Sequence, residues 1–387
     1  MTVLGSTFGE LVESMMDLSS SVMTLGVRQF AVVLGETATR QGMGAALRLL
    51  QQSAAVAGTV LPDEAGLEWL ELANKLEAFD RFQQASGLLE LEPWGDTSVE
   101  DQLRRAWALG IYPAVWTAEG LGYARAQSAW AAAKPPRRLL NGLPDRAVVP
   151  LHTGAALFFA SRLLETDQAR SAAGLEDWIA VWEENARPGY RDLVAEALGL
   201  VTRNLYPYRA TRLGELLRSI APELADSFWH GVGRGLYFAP THALPWSGAA
   251  GRALEKAWRE PPYESGRRNA TAGLAWALTL VNIRHPEVLA DVLARQAGEI
   301  GSSEAFANGV SSAVLVWYDA VGQDPHLAAF LAYRPQTSRP RLPALWRDLV
   351  LAPCETALRQ TYPKLRQSGG LAALFRCPPP GNEGTGP

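Results

Sequence analysis

From Leu67 to Phe79 the chain reads Leu-Glu-Trp-Leu-Glu-Leu-Ala-Asn-Lys-Leu-Glu-Ala-Phe, with Leu67, Leu70, Leu72, Leu76 and Phe79 mostly three or four residues apart. That spacing draws one apolar stripe along a helix, while Glu68, Glu71, Lys75 and Glu77 fall largely elsewhere. The same reading holds for Leu193 to Leu205 and for Val288 to Ile300. Pro62-Asp63-Glu64, Thr97 with Glu100 and Pro222-Glu223 fit helix starts. No sustained alternation marks half-buried strands, and no strand, Gly-rich turn and helix follow one another. The sequence therefore predicts an all-α fold.

Six helical segments align on a central glycine: Gly120, Gly154, Gly199, Gly231, Gly273 and Gly309, separated by 34, 45, 32, 42 and 36 residues. Glycine inside a helix costs about 0.5–1 kcal/mol relative to alanine, so its repetition before bulky aromatics predicts close approach of helices at a shared axis. The period suits helical hairpins, and its irregularity favours an irregular array or a closed helical assembly over a regular solenoid. Prolines at 135–136 and 335–340 divide the chain into an N-terminal helical region packed on the core (1–133), a glycine-centred repeat core (134–335, with repeats from near 106), C-terminal helices (336–376) and a flexible tail (377–387).

Composition excludes more than it selects. The 387 residues carry 36 basic and 40 acidic side chains and a net charge of -4, which leaves no basic footprint for nucleic acid. Apolar residues make up 48%, a globular balance. Two cysteines, Cys354 and Cys377, offer neither a disulfide framework nor a zinc pair; Cys354 reads as a small packed residue and Cys377 as part of the tail. The first thirty residues have no basic start before an apolar run, so they make a poor secretory signal. Gly235 to Gly251, the longest uncharged stretch, is too short and too polar to span a membrane. A soluble cytoplasmic protein with no transmembrane segment is expected. Four lysines against 32 arginines, with abundant Ala, Gly and Leu, suggest a GC-rich bacterial genome.

The segment Phe228-Trp-His-Gly-Val-Gly-Arg-Gly-Leu-Tyr-Phe238 and the later Ala305-Phe-Ala-Asn-Gly-Val-Ser-Ser-Ala313, running on to Val316-Trp317, resemble a bacterial family of unknown function. Its members occur in natural-product gene clusters, notably those of enediyne polyketides. The resemblance spans about residues 100 to 335 and implies a role in specialised metabolism; it brings no catalytic signature.

Asp226, His230 and Arg234, spaced four apart, are the best local candidates for chemistry, since the spacing places them on one side of a helix. A carboxylate can orient a histidine, and an arginine can hold an anion by paired hydrogen bonds. The competing reading is a solvent-facing polar stripe or a structural ion pair. His152, His242, His285 and His326 are scattered without metal-ligand spacing, and His152 reads as a satisfied core or capping residue. Gly-x-Ser-x-Gly is absent, Gly231-Val-Gly-Arg-Gly lacks the lysine and preceding strand of a phosphate loop, and no Asp-Asp pair supports a diphosphate-binding terpene cyclase. No cofactor or metal is expected. Thirteen tryptophans, ten tyrosines and eleven phenylalanines remain; Trp229, Tyr237, Phe238, Trp276 and Trp317 lie beside repeat glycines, as do Trp246 and Tyr318. Such rings can wall an apolar cavity or simply interdigitate in a core. The leading expectation is a protein that binds or transforms a hydrophobic intermediate (polyene, polyketide or isoprenoid) in an aromatic-lined helical pocket. A non-catalytic scaffold for a biosynthetic partner protein is the alternative, and a metal-free enzyme using Asp226, His230 and Arg234 the third.

Overall fold

A computed structural model describes residues 37–61, 63–87, 98–132, 136–239, 248–336 and 339–379. The expectations for the first thirty residues, Thr97, His242, Trp246 and the tail from Pro380 lie outside them. Every regular element among the described residues is helical, and none is a strand. The helices are α1 (Thr37–Val60), α2 (Asp63–Ser86), α3 (Val99–Ala108), α4 (Ile111–Ala132), α5 (Val148–Leu164), α6 (Ala172–Glu183), α7 (Leu193–Leu205), α8 (Ala210–Ile220), α9 (Pro222–Phe238), α10 (Ala249–Arg259), α11 (Glu264–Val281), α12 (Pro286–Gln296), α13 (Ser303–Val321) and α14 (Pro325–Ala332). Local chemistry explains the starts. Pro222, Pro286 and Pro325 occupy first-turn positions where no N–H is needed, and Ser98, Ser171 and Ser302 accept from backbone N–H groups.

An inner row runs α2, α4, α5, α7, α9, α11, α13, each packed on the next. Glycine makes that packing closer than side chains would allow. A Cβ on Gly199 would sit 1.9 Å from the Phe228 carbonyl oxygen, and one on Gly231 only 1.8 Å from that of Glu196. The numbers rise on α7 as they fall on α9, so the two are antiparallel. The same reciprocal pairs join α4 to α5 (Gly122 with Leu151, Gly154 with Glu119) and α9 to α11 (Gly233 with Ala270, Gly273 with His230). Helix axes ordinarily stay 8–10 Å apart; backbone against backbone brings them nearer and gains weak Cα–H···O contacts. The expected shared axis is thus a series of two-helix seams.

The row curls back on itself. Tyr112 on α4 donates from its hydroxyl to the carbonyl of Val281 on α11 at 2.8 Å and lies 6.1 Å from the Trp317 ring on α13. Asn74 on α2 donates to Asn282 at 3.0 Å, and Arg284 reaches Glu77 at 2.6 Å. One core cluster runs from Ala78 to Phe375, so neither the break near 134 nor the one near 336 bounds a separate core. Being packed on more than one side, α2 buries more than its stripe: Glu71 and Lys75 pair at 2.9 Å inside the protein, while Phe79 is 41% exposed.

Helix α5 is apolar all round, as a helix enclosed by neighbours is. Asp145–Leu164 is long and apolar enough to cross a membrane, and 89% of its apolar window is buried by the rest of the protein. His152, on this helix, is wholly buried with both ring nitrogens occupied: Nδ1 lies 2.7 Å from the Val148 carbonyl oxygen and Nε2 accepts from the Arg187 N–H at 3.1 Å. That arrangement fits only the neutral ring, and burial pushes its pKa down to about 4. The unfolded chain takes the proton first as pH falls. Stability from this residue is therefore complete above about 6.5 and lost towards 4, a change of about 3 kcal/mol. The urea midpoint of the wild type should drop more steeply between pH 7 and 4 than that of His152→Gln; parallel curves would contradict this.

After residue 340 one helical run extends to Ser368, built of α segments Leu342–Trp346, Ala352–Thr356 and Tyr362–Ser368 joined by π turns Arg347–Leu351 and Ala357–Thr361. Prolines recur every ten residues, at 343, 353 and 363. Each π turn contains the carbonyl four residues before a proline, where a tight helix would clash with the ring. A short 3₁₀ helix, Leu371–Phe375, then turns into the interior.

Candidate functional site

Four helices of the inner row deliver one buried charged group. Arg234 on α9 is 1% exposed, and its Nη1 donates to both carboxylate oxygens of Glu196 on α7 at 2.9 Å. Its Nη2 lies 3.5 Å from Glu119 on α4, and its guanidinium stands 4.5 Å above the ring of Trp276 on α11. His230, wholly buried one turn back on α9, has Nδ1 3.5 Å from Glu196, and its Nε2 makes no hydrogen bond among the described residues. The Phe375 ring packs edge-on to His230 at 5.7 Å and tilted on Trp276 at 5.5 Å.

The seams place these side chains. The carbonyls that nearly touch Gly154, Gly231 and Gly273 belong to Glu119, Glu196 and His230. Three of the four charged or titratable members are thus fixed at their backbone by a neighbouring helix.

Burial governs the protonation states. For Glu196, burial alone would raise the pKa, but Arg234 and His230 outweigh it and hold the group below its ordinary value as a carboxylate. Glu119, buried and farther from the arginine, with Glu196 as a like charge nearby, is pushed up to about 6. Burial keeps His230 below its ordinary value despite Glu196, so its ring is neutral. Arg234 is raised, because two carboxylates outweigh its desolvation. The result is a fixed ion pair flanked by a carboxyl that can hold or release a proton near neutrality and a neutral imidazole.

The structure sorts the residues expected from sequence. His230 and Arg234 come together; they are not a solvent-facing stripe. Asp226 is partly exposed and belongs with Ser265 and Arg376, and the carboxylate facing the imidazole is Glu196. A helix turns about 100° per residue, so eight residues drift by about 80° and Asp226 does not share a face with Arg234. Trp229 points elsewhere for the same reason: its Nε1 donates to the Tyr263 hydroxyl at 2.7 Å, and it packs against Gly214 and Gly266. Tyr237 lies one turn beyond Arg234, accepts from Asn282 at 2.8 Å and sits under Lys75, whose Nζ is 3.9 Å from the ring centre. Phe238 is half-buried against Tyr237, and Trp317 donates to Asp324 at 2.6 Å. Of the five rings, only Trp276 touches the charged group.

Glu119, Glu196 and Phe375 were not anticipated. Glu119 is the only charge between Arg105 and Arg125, and Glu196 the only one between Asp192 and Arg203, so an isolated charge in an apolar helix is the signal that could have found them. Cys377, expected in a flexible tail, is 5% exposed, and its N–H donates to Asn269 at 2.7 Å. Burial raises both thiols, Cys377 to about 11, so neither is a ready nucleophile. Among the described residues no group of three or more His, Cys, Asp or Glu is arranged to hold a metal. A groove of about 510 Å³ lined by Arg334, Pro335, Trp346 and Arg347 shares no residue with the charged group.

No family model, curated protein or solved structure matches the chain. The resemblance to the enediyne-associated family gains no support from these comparisons.

Proposed function

We propose that the protein binds a hydrophobic small molecule, of the polyene, polyketide or isoprenoid kind that bacterial specialised metabolism produces, in its interior beside Arg234, His230 and Trp276. One observation carries the reading. His230 and Trp276 pack edge to face at 6.3 Å between ring centres, both are buried, and His230 Nε2 and Trp276 Nε1 lack a hydrogen-bond partner among the described residues. A buried polar group without a partner costs about 1–3 kcal/mol, and an oxygen of a ligand lying beside the two rings would recover it. The aromatic walls suit the ligand's apolar part. Glu119, with its pKa near 6, suits proton transfer to or from the bound molecule.

A conjugated C18 tetraene acid, cis-parinaric acid, tests this. On titration into protein with ¹⁵N-labelled histidine, the ring resonances of His230, assigned with His230→Gln, should shift saturably at one equivalent, while those of His152 stay in place. Unmoved His230 resonances, or shifts that never saturate, would sink the proposal.

A further inference from the structure

The C-terminal end of the described chain fills the place beside His230 and Trp276. The run to Ser368 ends at Gly369 with φ +69°, and Gly370 follows, so two residues without side chains separate a rigid helix from the short 3₁₀ turn. Leu371, Leu374 and Phe375 are each under 5% exposed, and Phe375 meets both site rings. Beyond it the chain is tied down by separate polar contacts. Arg376 pairs with Asp192, the residue before α7, at 3.2 Å, the Cys377 N–H donates to Asn269 on α11, and Arg268 donates to the Pro378 carbonyl at 3.1 Å. This is an apolar wedge, packed on α7, α9 and α13, with a glycine pair on one side and a polar strap on the other.

We propose that Gly369–Pro378 is a plug whose Phe375 occupies the ligand's position, and that it withdraws about the Gly369-Gly370 hinge when a ligand enters. The plug rests on the interior-site reading above. It also narrows the ligand: what replaces Phe375 against His230 and Trp276 is flat and unsaturated, an aryl group or a conjugated chain.

Cys377 reports on the plug directly, because it lies two residues beyond Phe375, while wholly buried Cys354 on the preceding helical run serves as a control for global unfolding. Alkylation of each thiol by iodoacetamide, followed by peptide mass spectrometry on the full chain, reads the fraction of time the segment is open. Adding cis-parinaric acid should speed labelling of Cys377 and leave Cys354 unlabelled. Asn269→Ala removes one strap hydrogen bond, so it should speed Cys377 labelling about tenfold without the probe and tighten probe binding by a similar factor. If the probe shifts His230 resonances while the Cys377 rate stays constant, the plug is wrong and the site stands. The plug is equally overturned if Asn269→Ala frees Cys377 and leaves probe affinity unchanged. If Asn269→Ala frees Cys377 and the probe moves no His230 resonance in either protein, the interior site fails and the plug falls with it.

Discussion

Gly231→Ala is expected to destabilise the protein by about 3–5 kcal/mol, beyond the usual 1–3 kcal/mol of an overpacked core, because the new methyl would meet backbone and not a movable side chain. Its Cβ would lie 1.8 Å from the Glu196 carbonyl oxygen, so α7 and α9 must part along their whole contact. The same parting would move Glu196 away from Arg234 and His230, and the loss of stability should come with altered His230 ring resonances. Gly298→Ala is the contrast: among the described residues nothing lies within 4 Å of its Cβ position and its φ is ordinary, so alanine there should be neutral or stabilising by about 0.4–1 kcal/mol. Urea unfolding of the two variants side by side separates close approach from the general price of losing a glycine. Equal midpoints would refute the seam as described.

The second large effect concerns the ion pair. Glu196→Ala leaves Arg234 buried with only Glu119, 3.5 Å away, and should cost about 3–5 kcal/mol, the penalty for stranding a buried charge. Removing the whole charged set behaves differently. Glu119→Gln, Glu196→Leu and Arg234→Met together replace desolvated charges by packing groups of similar size, and most of the lost stability should return. If the cluster is kept for binding, that triple variant should be well folded and yet show no saturable shift of His230 resonances with cis-parinaric acid. Should the triple variant be as unstable as Glu196→Ala, the charges would be structural in their own right.

Much of this architecture was legible in the residues. Helices show because apolar side chains recur at helical spacing, and seams show because glycine in mid-helix has a local cost that only close approach offsets. The site was half legible. His230 and Arg234 share one helix, so their spacing reveals them, but Glu119 and Glu196 reach them from α4 and α7, and one helix's periodicity says nothing of its neighbours' side chains. Spacing also misled: Asp226 and Trp229 look adjacent to the site in sequence, and helical rotation turns both away from it. Phe375 lies 141 residues beyond Arg234 in a turn with no motif, and only tertiary structure could bring it there.

The winding of the inner row has a consequence for the order of assembly. Each helix meets one close behind it in sequence, so each seam closes a modest loop and forms early. The contacts that complete the centre are of another kind: Arg234 reaches back 115 residues to Glu119, and Tyr112 waits for Val281, 169 residues further on. A chain folding from such parts has its helices and most of its seams before it has its middle. Arg234 meets Glu196 and Trp276 as its own seams close, but Glu119 and Phe375 are then among the last to arrive, and a late folding species would be nearly complete in helix content yet lack a finished centre in which to hold a ligand.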